Sequence, residues 1–275
     1  MTSKVLCTFP GRFGDILWAL PTVRVISQCL AGEKVDFGIM PAYRSLLPFL
    51  NFQSYIGKAF VIENWECTGS PYGDQPWQPP RDVEKDYERS FHLGYKGHPG
   101  IHCPAMPLID FTAHQQGFVL RDPIPFIEVP KSTYLTPGNP EITCHVAYAF
   151  STGATEEKLR FMDIMIHMAG SHIAWVDVSK EEWLVSAALI KTAMCFVGSR
   201  SSNNVIAHGV GQKNIFIYEP EASRHASGQF GSVFGCPYDK EETQTLGMSP
   251  EQAAELACRT LAMWHEQPKE QETIQ

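Results

Sequence analysis

Along most of this chain, short apolar runs alternate with stretches whose apolar residues recur at helical spacing. Residues 4–9 predict a strand, and Ile16, Leu17, Leu20, Val23 and Leu30 then follow the period of a helix. A second strand is expected at 35–40, a short helical stretch at 43–50 and a third strand at 59–62. Strands that alternate with helices imply βαβ units and a mainly parallel sheet. A second series opens with a strand at 142–150, a helix at 156–169 and a strand at 173–176. Residues 180–192 form an amphipathic helix, with Trp183, Leu184, Ala187, Ala188 and Ile190 as its apolar positions. A strand at 194–198, a short helix at 203–209 and a closing strand at 214–218 complete this series. Ser249-Pro250-Glu251 starts a last helix, with serine as the cap and proline at the first position; it runs to about residue 265.

The regions between these elements have a different texture. Gly69, Pro71, Gly73, Pro76, Pro79 and Pro80 are interleaved with Trp65, Tyr72 and Trp77, which predicts a long irregular insertion with exposed aromatics. That insertion reads either as an acceptor-contacting loop or as disorder. Pro123, Pro125, Pro130, Pro137 and Pro140 block regular structure over 121–140, which is the candidate linker. The fold class is therefore α/β, with two α/β units in series and no internal sequence repeat. The expected division is an N-terminal domain over 1–135, a C-terminal domain over 136–248, and a last helix and tail over 249–275.

Composition narrows the function classes. The 275 residues carry 44% hydrophobic and 19% charged residues, ordinary for a globular protein able to bury a core. A formal charge of −8 argues against binding driven by nucleic-acid phosphates. Eight scattered cysteines without a C-x-x-C pair read as reduced thiols. No signal peptide precedes Lys4 and no apolar run reaches membrane-spanning length, so a soluble, cytoplasmic protein is expected. His92, His98, His102, Cys103 and His114 lie near one another, but their spacing is looser than paired zinc ligands require. A polar loop is preferred, either facing substrate, with His98 and His102 on the acceptor side, or merely solvated. No G-x-S-x-G elbow and no carboxylate cluster for a divalent metal is present, and neither metal nor cofactor is expected.

Three turns at the carboxyl ends of predicted strands carry the candidate chemistry: 11–15, 151–158 and 198–204. The first, with Gly11, Arg12 and Gly14, lacks both glycine-rich phosphate-loop spacings, and Asp15 would repel a phosphate. Asp15 is either a helix N-cap or a catalytic acid. In the other two, Ser151, Thr152, Gly153, Ser201, Ser202 and Asn203 offer hydroxyl, amide and backbone donors to a diphosphate. Lys158 and Arg200 supply balancing charge. Helix capping by the same serines and threonines is the competing explanation.

Gly-Arg-Phe-Gly-Asp-Ile-Leu-Trp-Ala-Leu-Pro over 11–21 resembles the G-D-x-x-x-x-x-P opening of the heptosyltransferase-like glycosyltransferases, family 9. Residues 183–202, continuing through Ala207 and Gly211 to Tyr218, are similar to that family's donor segment of helix, strand, D-[ST]-G turn and short helix. Residues 151–161 resemble its G-A-x-x-x-x-K stretch, with Gly153-Ala154 one residue closer to Lys158.

The resemblance implies a GT-B architecture: two Rossmann-like domains face each other across a cleft, and the last helix packs back on the N-terminal domain. It implies inverting, metal-independent transfer from a nucleotide sugar to a hydroxyl acceptor, with Asp15 as general base. Lys158, Ser201 and Ser202 would hold the diphosphate. In this chain Arg200 stands where the family has Asp, Ser202 replaces the turn glycine, and Val205 falls where a His is expected, with His208 three residues on. The departures leave two alternatives on the same fold, a non-catalytic nucleotide or sugar-nucleotide binding protein and a sugar-nucleotide epimerase. The acceptor class stays open among a glycan, a small molecule and a modified nucleobase in DNA, and no oligomeric state follows.

Overall fold

Nine parallel strands in two separate sheets organise the described residues of the computed structural model, which are 5–30, 32–65, 79–94, 108–122, 124–130, 144–150, 155–220 and 242–266. The first sheet contains β1 (Val5–Phe9), β2 (Val35–Ile39), β3 (Ile56–Val61) and β4 (Arg89–His92), in the order β3-β2-β1-β4. The second contains β5 (Cys144–Ala149), β6 (Ile173–Asp177), β7 (Cys195–Gly198), β8 (Ile215–Glu219) and β9 (Glu242–Leu246), in the order β6-β5-β7-β8-β9. The central strands are buried along their whole length, as parallel strands covered on both faces must be, which is why they read as unbroken apolar runs.

Among the described residues, seven helices cover the sheets: α1 (Phe13–Cys29), α2 (Leu47–Asn51), α3 (Leu108–His114), α4 (Glu156–Ala169), α5 (Trp183–Thr192), α6 (Ser202–Gly209) and α7 (Pro250–Glu266). One apolar core runs through both halves. It joins Ile16, Leu17 and Leu20 of α1 to Val205 and Ile206 of α6, with Val210 just beyond it. A second core, under α4 and α7, stacks Phe161 on Tyr218 with ring centroids 4.4 Å apart. Among the described residues, no helix is long and apolar enough to cross a membrane.

In both sheets the strand order reverses once. The reversal falls between β1 and β4 in the first sheet and between β5 and β7 in the second. In open parallel sheets, ligands bind beyond the carboxyl ends of the strands at such a reversal. The turns at 11–15 and 198–204 leave those points.

Several elements differ from the sequence expectation. β4 and β9 are additional strands, so β8 does not close its sheet, and β3 begins before residue 59. Trp65 is not an exposed aromatic: it is 2% exposed and packs with Met40 and Ile62, whereas Tyr72 and Trp77 lie outside the described residues. Residues 124–130 are anchored rather than free. Ile127 is buried and its N–H donates to the Gly209 carbonyl at 3.0 Å, while Tyr55 Oη donates to the Phe126 carbonyl at 3.1 Å. The resemblance implies that the last helix reaches the N-terminal domain, but α7 lies along α4. Ala253, Ala254 and Ala257 form a small-residue face that fits against Met162 and Met165, and Glu251 pairs with Arg160.

Candidate functional site

The N-terminal wall of the site is the start of α1. After β1 the chain turns through Pro10, the buried Gly11 and the exposed Arg12, and α1 begins at Phe13. Arg12, with extended backbone, occupies the N-cap position and makes no side-chain capping bond. The sequence allowed Asp15 to be that cap. The structure places it instead inside the first turn of α1, 3% exposed. The positive end of the helix dipole favours a carboxylate there.

The C-terminal wall is the turn after β7. A Cβ on Gly198 would stand 2.5 Å from the Ala149 carbonyl and 2.8 Å from Phe196 Cζ, so only glycine lets β5 and β7 approach this closely at the reversal. Ser201 is the N-cap of α6, but its hydroxyl makes no capping bond. Ser199 Oγ, Ser201 Oγ and Asn203 Oδ1 are all buried with no hydrogen-bond partner. Ser199 is 2% exposed and Asn203 7%. Buried polar atoms in native proteins are nearly always paired, so these three orphans leave bonding in one turn that a water or a polar ligand can satisfy.

Lys158 lies in the first turn of α4, whose N-cap is Thr155; Thr155 Oγ1 accepts from the Lys158 N–H at 3.4 Å. Lys158 is 9% exposed, and its Nζ lies 3.4 Å from Glu219 Oε2. The other carboxylate oxygen, Glu219 Oε1, accepts from the Arg200 N–H at 2.9 Å. Gly198 pairs with Ile217 in the β7–β8 ladder, and this register brings the end of β8 level with Arg200. Sequence reasoning missed Glu219. It closes an apolar strand, and its two partners come from distant parts of the chain.

The two walls meet. A Cβ on Gly14 would lie 3.5 Å from Ser202 Oγ, so the starts of α1 and α6 adjoin. Beside this contact the Phe13 ring sits 5.0 Å from both Trp183 and Tyr43, and Trp183 Nε1 donates to Ser45 Oγ at 3.3 Å. Of the residues expected from the sequence, Gly11, Arg12, Gly14 and Asp15 line one wall. Arg200, Ser201, Ser202 and Asn203 line the other, with Lys158 tied to it through Glu219. Ser151, Thr152, Gly153, His98 and His102 lie outside the described residues. His208 sits in the last turn of α6, six residues and so about 9 Å along the axis from Ser202.

Two further groups flank the strand ends. His92, from the polar loop of the sequence reading, bonds through Nδ1 to Thr8 Oγ1 at 2.9 Å and through Nε2 to Glu84 Oε1 at 2.7 Å. At the end of β6, burial works against the Asp177 carboxylate, but hydrogen bonds from Ser179 and Lys180 outweigh it and hold its pKa below the ordinary value. Burial, helped by the Asp177 charge, raises the Tyr148 phenol on the neighbouring strand. Among the described residues, no group of three or more His, Cys, Asp or Glu is placed to hold a metal ion.

No protein-family model and no curated protein matches the sequence. Solved structures do match. The E. coli ADP-heptose lipopolysaccharide heptosyltransferase II aligns with a TM-score of 0.59 at 10% identity, over 95% of this chain and 99% of that one. The family 9 glycosyltransferase of Veillonella parvula DSM 2008 aligns with a TM-score of 0.56 at 11% identity, over 94% and 97%. The E. coli heptosyltransferase WaaC, solved with ADP, aligns with a TM-score of 0.53 at 12% identity, over 94% and 99%. At these identities the likeness is one of fold: this chain has the two-sheet α/β architecture of the family 9 glycosyltransferases.

Proposed function

We propose that this protein is a glycosyltransferase that moves a sugar from a nucleotide diphosphate sugar to a hydroxyl acceptor. The observation that carries this reading is the apposition of Gly14 and Ser202. It sets an acid-bearing helix start against a turn that holds three unpartnered buried polar atoms. The donor's diphosphate would lie at the head of α6, against the backbone N–H groups and the Ser201 and Ser202 hydroxyls. Lys158 and Arg200 would balance the charge that grows on the leaving phosphate, without a metal ion. This places the phosphate site on the second half of the chain and leaves the glycine-bearing turn of the first half for the acceptor.

Asp15 would accept the proton of the acceptor hydroxyl. The acceptor oxygen bonds to the anomeric carbon as the bond from that carbon to the diphosphate oxygen breaks. The nucleoside diphosphate departs with the electron pair, and attack from the opposite face inverts the anomeric centre. What supports this role is the position of Asp15, buried in the first turn of α1 next to the contact between Gly14 and Ser202.

The solved heptosyltransferase WaaC carries ADP, and a nucleoside diphosphate fits the donor chemistry here as well. Arg200 in place of the family acid sets this chain's donor apart from heptose. That same substitution favours the second reading, a sugar-nucleotide binding protein without transfer.

A thermal-shift screen of nucleoside diphosphates and nucleotide sugars tests the donor site, because a ligand that binds the native state raises the melting temperature by mass action. A shift with at least one nucleotide sugar is expected, and no shift at saturating concentrations of the whole panel defeats the proposal. Product analysis with hydroxyl acceptors then separates transfer from binding alone.

A further inference from the structure

Lys158 stands in an unfavourable place. A cation in the first turn of a helix faces the positive end of the dipole, and this one is also 9% exposed, so it needs an anion beside it. Glu219 is that anion. Its side chain is 6% exposed, and it offers one oxygen to Lys158 Nζ at 3.4 Å and the other to the Arg200 N–H at 2.9 Å. A cation and a backbone N–H leading into a helix are the two kinds of group that a bound phosphate uses. The neighbouring orphans, Ser199 Oγ, Ser201 Oγ and Asn203 Oδ1, lie in the same turn and are not used by Glu219.

We propose that Glu219 is an internal competitor of the donor's diphosphate: its carboxylate holds Lys158 and the Arg200 N–H, and the diphosphate must displace it from both. This rests on the reading of the turn after β7 as the diphosphate site. The acid also compensates for Arg200. The resemblance puts an acid at position 200, and here the acid facing Lys158 comes from the end of β8 while position 200 has become basic. The consequence is kinetic as well as energetic. A carboxylate ready to retake Lys158 hastens the departure of the nucleoside diphosphate product, a step that limits many enzymes of this kind of cycle.

Calorimetric titration of the full chain with ADP, UDP and GDP, and with adenosine, uridine and guanosine as phosphate-free controls, tests this. In Glu219→Gln the nucleoside diphosphate that binds the wild type should bind about tenfold more tightly, because the competing charge is gone. The matching nucleoside should bind unchanged. Glu219→Asp, which keeps the charge but withdraws it by one methylene, should fall between the two and serves if the glutamine variant fails to fold. A merely structural Glu219 would give weaker binding on substitution, never tighter. Equal or weaker diphosphate binding by both variants overturns the competitor role and leaves the donor site standing. A diphosphate that binds only the variants supports the competition, and failure of wild type and variants alike to bind any diphosphate overturns both readings.

Discussion

Gly14 and Ser202 stand against each other where the starts of α1 and α6 adjoin, with 3.5 Å between a Cβ placed on Gly14 and Ser202 Oγ. That spacing is ordinary van der Waals contact, so a methyl group fits and a larger side chain does not. Gly14→Ala should fold with a melting temperature equal to or above wild type, since alanine favours a helix by about 1 kcal/mol over glycine. Gly14→Leu should push the two helix starts apart and lower sugar transfer at least about tenfold, because reacting groups tolerate little misplacement. Full transfer by the leucine variant would show that the contact has no bearing on chemistry.

Asp15 gives the sharpest test of mechanism. Asp15→Asn keeps the shape of the side chain and removes its basicity, so transfer should fall by about 10²–10⁴-fold while nucleotide binding changes little. The measurements are turnover with an active acceptor and calorimetric titration of the donor. Near-normal turnover in the asparagine variant would move the base elsewhere.

Gly198 is a position where packing alone decides the residue. Its neighbours are the Ala149 carbonyl and the Phe196 ring, so Gly198→Ala forces β5 and β7 apart. Chemical denaturation should show a loss of about 1–3 kcal/mol. Nucleotide affinity should fall with it, because the same two strands end at the proposed donor site.

The thiols report on the fold without reference to activity. Burial pushes the Cys7 and Cys195 thiols well up, and both sit in central strands, whereas Cys29 is exposed at the end of α1. Because the thiolate is the reactive form, native alkylation should label Cys29 within minutes and spare Cys7 and Cys195 until denaturant is added. Peptide mass mapping reads the result, and early labelling of Cys7 or Cys195 would contradict the placement of β1 or β7.

The sequence showed the interior of this fold better than its margins, for physical reasons. β1, β2, β7 and β8 are buried on both faces and had to be apolar, so their residues announce them. β4, with the sequence Arg-Ser-Phe-His, and β9, with Glu-Thr-Gln-Thr-Leu, are edge strands. They carry little apolar signal and exist because β1 and β8 offer them a ladder. The site divides in the same way. Gly14, Asp15 and Ser202 were visible because each stands at a strand-to-helix turn. Glu219 was not, because its partners Lys158 and Arg200 meet it only through the register of the second sheet. The position of α7 was hidden too, since an alanine face fits any smooth partner and only the packing shows that α4 is the one taken.

The continuous core beneath the two walls limits how this molecule handles its substrates. Ile16, Leu17 and Leu20 share their apolar surroundings with Val205, Ile206 and Val210, so swinging the halves apart would wet that whole seam. Each 100 Å² of apolar surface so exposed costs about 2.5 kcal/mol. Phe13, wedged between Tyr43 and Trp183, adds an aromatic clasp at the rim of the same seam. The starts of α1 and α6 are therefore held at a fixed spacing rather than hinged. If the protein transfers sugar as proposed, substrates would enter and products leave without rotation of one half on the other.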